Sequence, residues 1–196
     1  MKTTNRIFIL WLMLITSNSI LFYSLYQILT EKEEKVILQS FKPNIKKDTL
    51  YNFVINKIKD FEKFKAKEYN CLTTQRLIGY GHAIKKDENF TELTELQADS
   101  ILREDFNKSI DLAYKHTKVK ERHKIYAIAH FIFNIGVTKF NKSTFKKKIL
   151  KGEDITKELL KWNKIVISED SIIESTHLIK RRQFEINLYY GFLTHK

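Results

Sequence analysis

The sequence predicts an α+β protein that is mainly helical, with a small sheet-bearing lobe near the start of one folded domain and an N-terminal membrane helix ahead of it. Three observations carry that expectation. Residues 7–29 run for 23 positions without a charged side chain, long enough as a helix to cross a ~30 Å hydrocarbon core. Between Cys71 and Ile84 the pattern turns extended and glycine-punctuated, as short strands around a turn require. From Thr94 onward apolar residues recur at helical spacing in segments ended by Gly136, Gly152 and Gly191, the residue type best suited to stop a helix.

Composition bounds the answer. The chain has 196 residues, of which 43% are hydrophobic, 13% aromatic and 30% charged, with five glycines and one proline. Collagen-like, low-complexity and mostly disordered chains are thereby excluded. With the span and a linker set aside, about 150 residues remain, enough for one domain that buries roughly 68–70% of its unfolded surface. Thirty-five Lys and Arg against 23 Asp and Glu leave a net charge of +12, which attracts polyanions such as nucleic acid, anionic lipid or bacterial cell-wall polymer. The single cysteine, Cys71, has no intramolecular disulfide partner, and no Cys/His group has metal-ligand spacing. A zinc site and a disulfide scaffold are excluded, and no cofactor is expected.

Taken in order, residues 1–6 form a basic N-terminus with Lys2 and Arg6, and residues 7–29 a transmembrane signal-anchor helix. The polar centre of that run, Thr16-Ser17-Asn18-Ser19, leaves open a signal peptide that is cleaved. The unopposed charge ahead of the span orients the N-terminus inside. The expected product is a single-pass membrane protein with its domain in the periplasm or outside the cell, or a secreted one after cleavage. Residues 30–46, with the sole proline Pro43, read as a tether, and residues 47–196 as the domain. Asp48 is placed to cap a helix whose apolar stripe, Leu50, Phe53, Val54, Ile58 and Phe61, ends just before Glu62. The Cys71 to Ile84 stretch is the only β region expected. Thr94 to Gln97 has capping-box spacing and opens a helix with Ala98, Ile101, Leu102, Phe106, Ile110 and Ala113 on one side. Ile125 to Ile135 is almost wholly apolar and belongs at the centre of a bundle. Shorter helices are expected over Ser143 to Leu150, Ile155 to Trp162 and Thr176 to Tyr190. A small sheet beside helices leaves a cleft suited to a polymer substrate, and Glu62 falls at the junction.

Phe61-Glu62, then Cys71 after eight intervening residues, then Leu77-Ile78-Gly79-Tyr80-Gly81-His82 resembles the catalytic signature of the phage-type lysozymes, the muramidases of bacteriophage endolysins. The likeness continues through Lys67-Glu68-Tyr69, the Leu93 to Asp105 helix, His130 to Gly136, Phe140, Ser143 and Arg181-Arg182 with Glu185. It implies a lysozyme-like domain that hydrolyses the β-1,4 bond between N-acetylmuramic acid and N-acetylglucosamine in peptidoglycan, acting as a monomer. Glu62 is then the general acid, and apolar neighbours such as Phe61 and Phe64 are the expected means of keeping it protonated. Cys71 stands where the family commonly has Asp, and Leu77 where it has Thr; Thr73, Thr74 or Gln75 are candidates to replace the missing hydroxyl, and Glu68 the missing carboxylate. Those departures leave room for a lytic transglycosylase using Glu62 alone, or for a catalytically inactive wall-binding domain. Phe133 and Ser143 align with substrate-binding positions in the cleft, and His82 with a histidine that braces the sheet. The clusters Lys146-Lys147-Lys148 and Lys180-Arg181-Arg182 read as a solvated helix face and a packed pair, or as contacts for anionic wall polymer. Nucleic acid is not expected as a partner, because the aromatics lie on helical stripes and do not interleave the basic runs.

Overall fold

A computed structural model of the chain describes residues 48–70, 75–168 and 171–193. The expected span, the linker, Cys71, Thr73 and Thr74 lie outside the described residues. Among the described residues no helix is long and apolar enough to cross a membrane.

Helix α1, Thr49–Glu62, starts where the Asp48 carboxylate accepts the Tyr51 N–H at 3.0 Å, satisfying one of the orphan donors of a first turn. It buries Tyr51, Val54, Ile55 and Ile58 and stops at Glu62 because Lys63 takes a positive φ of 58°. Three antiparallel strands follow in the order β1-β2-β3: β1 is Lys65–Asn70, β2 Arg76–Gly79 and β3 His82–Ala83. Tyr69 faces Leu77, and Leu77 faces Ala83 across the next pair. The sheet therefore begins before Cys71, earlier than its sequence suggests. Strand β1 reads Lys-Ala-Lys-Glu-Tyr-Asn and is largely exposed, so it carries no apolar alternation to reveal it.

Helix α2, Glu95–Thr117, opens with the expected capping box between Thr94 and Gln97 and buries Ala98, Leu102, Phe106, Ile110 and Ala113. Helix α3, Arg122–Ile135, is buried without interruption from Ile125 to Ile132 and ends at Gly136. Each fully buried isoleucine there contributes roughly 1.5–3 kcal/mol relative to exposure. Short helices α4 (Val137–Lys142), α5 (Thr144–Lys151) and α6 (Thr156–Leu160) wrap this core, and α7, Thr176–Tyr189, packs beside α3. Between α6 and α7 lies a second hairpin, β4 (Lys164–Ser168) with β5 (Ser171–Glu174), which corrects the expectation of a single β region. Its residues Ile165, Ile172 and Ile173 are β-branched and suit a strand, but the runs are too short to separate from helix by periodicity.

Polar ties join α1 to α2 and the β2–β3 turn to α2. Lys59 meets Asp99 at 2.5 Å, Arg103 bonds the same carboxylate at 2.7 Å and reaches Asn52 at 2.9 Å. The Tyr80 hydroxyl donates to Glu95 at 2.6 Å. Asp48 has a second duty, since its other oxygen accepts from the Tyr126 hydroxyl at 2.7 Å.

Candidate active site

The last residue of α1 presents its side chain at the sheet. Glu62 is about a quarter exposed (23%), and its Oε1 accepts from Arg181 Nη2 of α7 at 2.5 Å. On the other side a Cβ built on Gly81 would lie 3.3 Å from Glu62 Oε2, and Gly81 has φ +83°. A glycine in the β2–β3 turn thus serves two ends: it adopts a backbone that other residues resist, and it leaves room for the carboxyl group. Beneath, the Phe61 ring is enclosed by His177, His130 and Phe184 at centroid distances of 5.4, 5.8 and 6.1 Å, with the Arg181 guanidinium 5.1 Å above it. His177 also donates from Nε2 to the Phe61 carbonyl at 3.2 Å. Where apolar neighbours were expected to meet the Glu62 carboxyl group, the group that meets it is the Arg181 guanidinium, while Phe64 packs on Tyr80 at 5.7 Å.

Behind Arg181 sits a second, wholly buried set. Arg182 donates to Asn134 of α3 and places Nη1 3.2 Å from Glu185 Oε2, while Glu185 Oε1 accepts from His130 Nδ1 at 2.7 Å. Arg182, Glu185 and His130 are each 0% exposed, and the Phe131 ring lies 4.7 Å from the Arg182 guanidinium. Burial pushes the His130 imidazole down, against the upward pull of Glu185, so the ring is neutral and Nδ1 carries its proton. Arg181 and Arg182 are therefore packed residues with partners inside the protein. Their alternative reading as contacts for wall polymer is set aside, since a buried guanidinium does not reach a polymer.

The sheet side has its own histidine. His82, 8% exposed, bonds Asp105 from Nδ1 at 2.5 Å and Glu88 from Nε2 at 2.8 Å. The bond to Asp105 raises its pKa, desolvation opposes this, and Glu88 adds to the rise. This ring joins β3 to α2, the bracing role expected of it, and both its nitrogens are taken.

The remaining candidates fall in separate places. Leu77 is half-buried in β2 and Gln75 is exposed just before it. Glu68 is engaged by Arg76 across the β1–β2 pair, Nε to Oε2 at 3.0 Å. Phe133 is partly buried and meets Phe106 edge-on at 6.5 Å. Ser143 is buried and caps α5: its Oγ donates to the Phe140 carbonyl at 2.6 Å and accepts the Lys146 N–H at 3.0 Å. It also lines an open depression of about 510 Å³ with Lys139, Lys142, Lys161 and Trp162. Among the described residues no three His, Cys, Asp or Glu are grouped to hold a metal ion. Sequence reasoning missed the place of His177, and it placed Arg181 in a motif without seeing that it addresses Glu62.

A carboxyl group at the end of a helix, set against a glycine turn of a three-stranded sheet and clamped by an arginine from a later helix, defines a lysozyme-like site. The sequence profile of the Phage lysozyme family matches residues 59–185, and the chain belongs to that family. It is 34% identical over 135 residues to the endolysin of Acyrthosiphon pisum secondary endosymbiont phage 1, covering 67% of this chain and 91% of that one. It is 31% identical over 140 residues to the endolysin of Bacillus phage B103, covering 69% of this chain and 51% of the relative, so it spans about half the length of that longer protein. Among solved structures, an endolysin from Escherichia coli O157:H7 phage FAHEc1 superposes with a TM-score of 0.61 at 25% identity, over 71% of this chain and 92% of that one. The muramidase domain of SpmX from Asticaccaulis excentricus gives a TM-score of 0.63 at 22% identity, over 70% and 94%, which shows the shared fold. Family and relatives support a peptidoglycan hydrolase of the lysozyme type.

Proposed function

We propose that the protein cleaves the β-1,4 bond between N-acetylmuramic acid and N-acetylglucosamine of peptidoglycan, with Glu62 as general acid. The observation that carries this is the setting of Glu62: one oxygen bound by Arg181, the other facing Gly81, where a Cβ would come within 3.3 Å of it. Oε1 is occupied as an acceptor, so the transferable proton belongs on Oε2. It passes to the glycosidic oxygen as the bond to the anomeric carbon breaks; a water then bonds to that carbon, and the proton it releases passes through solvent to restore the acid form of Glu62. Cys71 is the proposed partner on the water side, acting through a thiol that orients rather than ionises, since an ordinary thiol is mostly neutral at pH 7. Phe133 and Ser143 are proposed to face the substrate, the latter through the depression it borders, where Lys139 and Lys142 suit the carboxylates of a wall peptide and Lys161 is paired with Glu158 at 2.8 Å. Residues 7–29 are proposed to hold the domain at the outer face of the membrane.

Digestion of purified peptidoglycan by the detergent-solubilised full chain, with mass spectrometry of the released fragments, tests the reaction. Wild type is expected to release reducing muramic ends, and Glu62→Gln to release none. 1,6-Anhydro ends would replace hydrolysis by transglycosylation, and no release by the folded wild type would reduce the domain to a wall-binding module. Gly81→Ala sharpens the assignment: the added Cβ meets Oε2 and the positive φ strains the turn, so activity is expected to fall by at least tenfold beyond any loss of folded protein. Retained activity in that variant would show that the approach of Gly81 to Glu62 has no part in the chemistry.

A further inference from the structure

Two consecutive arginines on α7 address two different carboxylates. Arg181 reaches Glu62, and Arg182 turns toward α3, where it meets Asn134 and Glu185. At 3.6 residues per turn, Glu185 lies one turn beyond both arginines and within reach of either. The contacts show which it takes: one oxygen accepts from His130 and the other lies 3.2 Å from Arg182. Because His130 is neutral, the charges of Arg182 and Glu185 cancel inside the core. An interior charge without a counter-ion is costly, and its field is poorly screened.

We propose that Glu185 is a positioning residue that sets the charge felt by Glu62, by holding Arg182 in neutral partnership so that Arg181 alone addresses the acid. The inference rests on the assignment of Glu62 as the proton donor. The groups involved are few. Glu185 faces His130 from α3, with Arg181 and Arg182 on its own helix. Glu62 faces Arg181 from α7 and the Gly81 backbone from the sheet, with His177 at the Phe61 carbonyl and Lys63 next in the chain. Removing the charge of Glu185 leaves Arg182 as a second uncompensated cation one residue from the clamp. A carboxyl group in the field of two cations releases its proton at lower pH than in the field of one.

The test is the titration of the Glu62 carboxyl carbon by ¹³C NMR in the detergent-solubilised full chain, for wild type, Glu185→Gln and the double variant Arg182→Met with Glu185→Gln. Glu185→Gln is expected to move the Glu62 titration down by about one pH unit, the size for a unit charge roughly 10 Å away at an effective dielectric of about 20. The double variant, which removes both charges, is expected to restore the wild-type midpoint. The alkaline limb of peptidoglycan cleavage should follow the same pattern. A folded Glu185→Gln protein in which Glu62 titrates as in wild type overturns the proposal. Should Glu185→Gln fail to fold, Arg182→Met decides alone: it leaves Glu185 without its cation, so the Glu62 midpoint is expected to rise, and a wild-type midpoint overturns the proposal. A shift in the NMR titration with no cleavage by wild type would instead remove Glu62 as the acid while leaving the charge balance standing.

Discussion

Two histidine clusters in one domain have their imidazole pKa values moved in opposite directions. His130 is enclosed on all sides, shares one carboxylate with Arg182, and stays neutral because burial outweighs Glu185. His82 is less deeply enclosed and has a carboxylate at each nitrogen, and hydrogen bonding to Asp105 outweighs desolvation to raise its pKa. Depth of burial, the number of anions and the presence of competing cations together set the direction. The His130 cluster stands behind Glu62, the proposed acid, where a further positive charge would alter the field at its carboxyl group. The His82 cluster sits on the sheet, where it links β3 to α2.

Breaking the neutral cluster should cost the most. Glu185→Ala leaves Arg182 buried without a counter-ion and His130 without its acceptor, and is expected to lose about 3–5 kcal/mol in urea denaturation at pH 7. A loss below about 1 kcal/mol would mean that the two clusters are energetically alike. On the sheet side, Asp105→Asn keeps a hydrogen-bonding group but removes a charge from a site that is partly open to solvent (22% exposed). About 1–2 kcal/mol is expected by the same measurement, a charged bond discounted for screening.

The pH dependence should separate the clusters by sign. His82 has a folded pKa raised above 6.5, so its contribution is complete below 6.5 and is lost as pH rises through the folded value. Wild type and His82→Asn should therefore converge in melting temperature as pH rises above 6.5. His130 has a folded pKa lowered below 6.5. The unfolded chain then takes up the proton first, and stability falls as pH drops below 6.5. His130→Gln should flatten that acid-side decline, and curves that moved the same way for both variants would contradict the contrast. The smallest change is expected from Glu88→Gln. The Glu88 carboxylate, held at about 2 chiefly by Lys85, is only one of two anions on His82. Its loss should lower the histidine titration seen by NMR while leaving the unfolding midpoint nearly unchanged.

Much of the helical architecture was legible in advance, for local reasons. Asp48, Thr94 and Ser143 announce helix starts because a short oxygen-bearing side chain serves its own backbone, and Gly136 and Gly152 end helices because they take positive φ. The unbroken apolar run of α3 required a central position. Less was legible where local pattern and tertiary context part. Strand β1 has almost no apolar content, and the β4–β5 hairpin rests on two short β-branched runs that fit a helix as well.

For the site, the position of Glu62 at a helix exit beside a glycine turn followed from the sequence alone, because it rests on residues within twenty positions of one another, and the family resemblance followed from ordered blocks spread along the domain. Arg181 did not. It lies 119 residues beyond Glu62, and on its own helix nothing distinguishes it from Arg182. Only the packing of α7 against α3 and α1 decided which arginine meets the acid, which one is neutralised in the core, and which histidine stays uncharged. Those outcomes depend on distance and desolvation between segments far apart in the chain, and no local spacing encodes them.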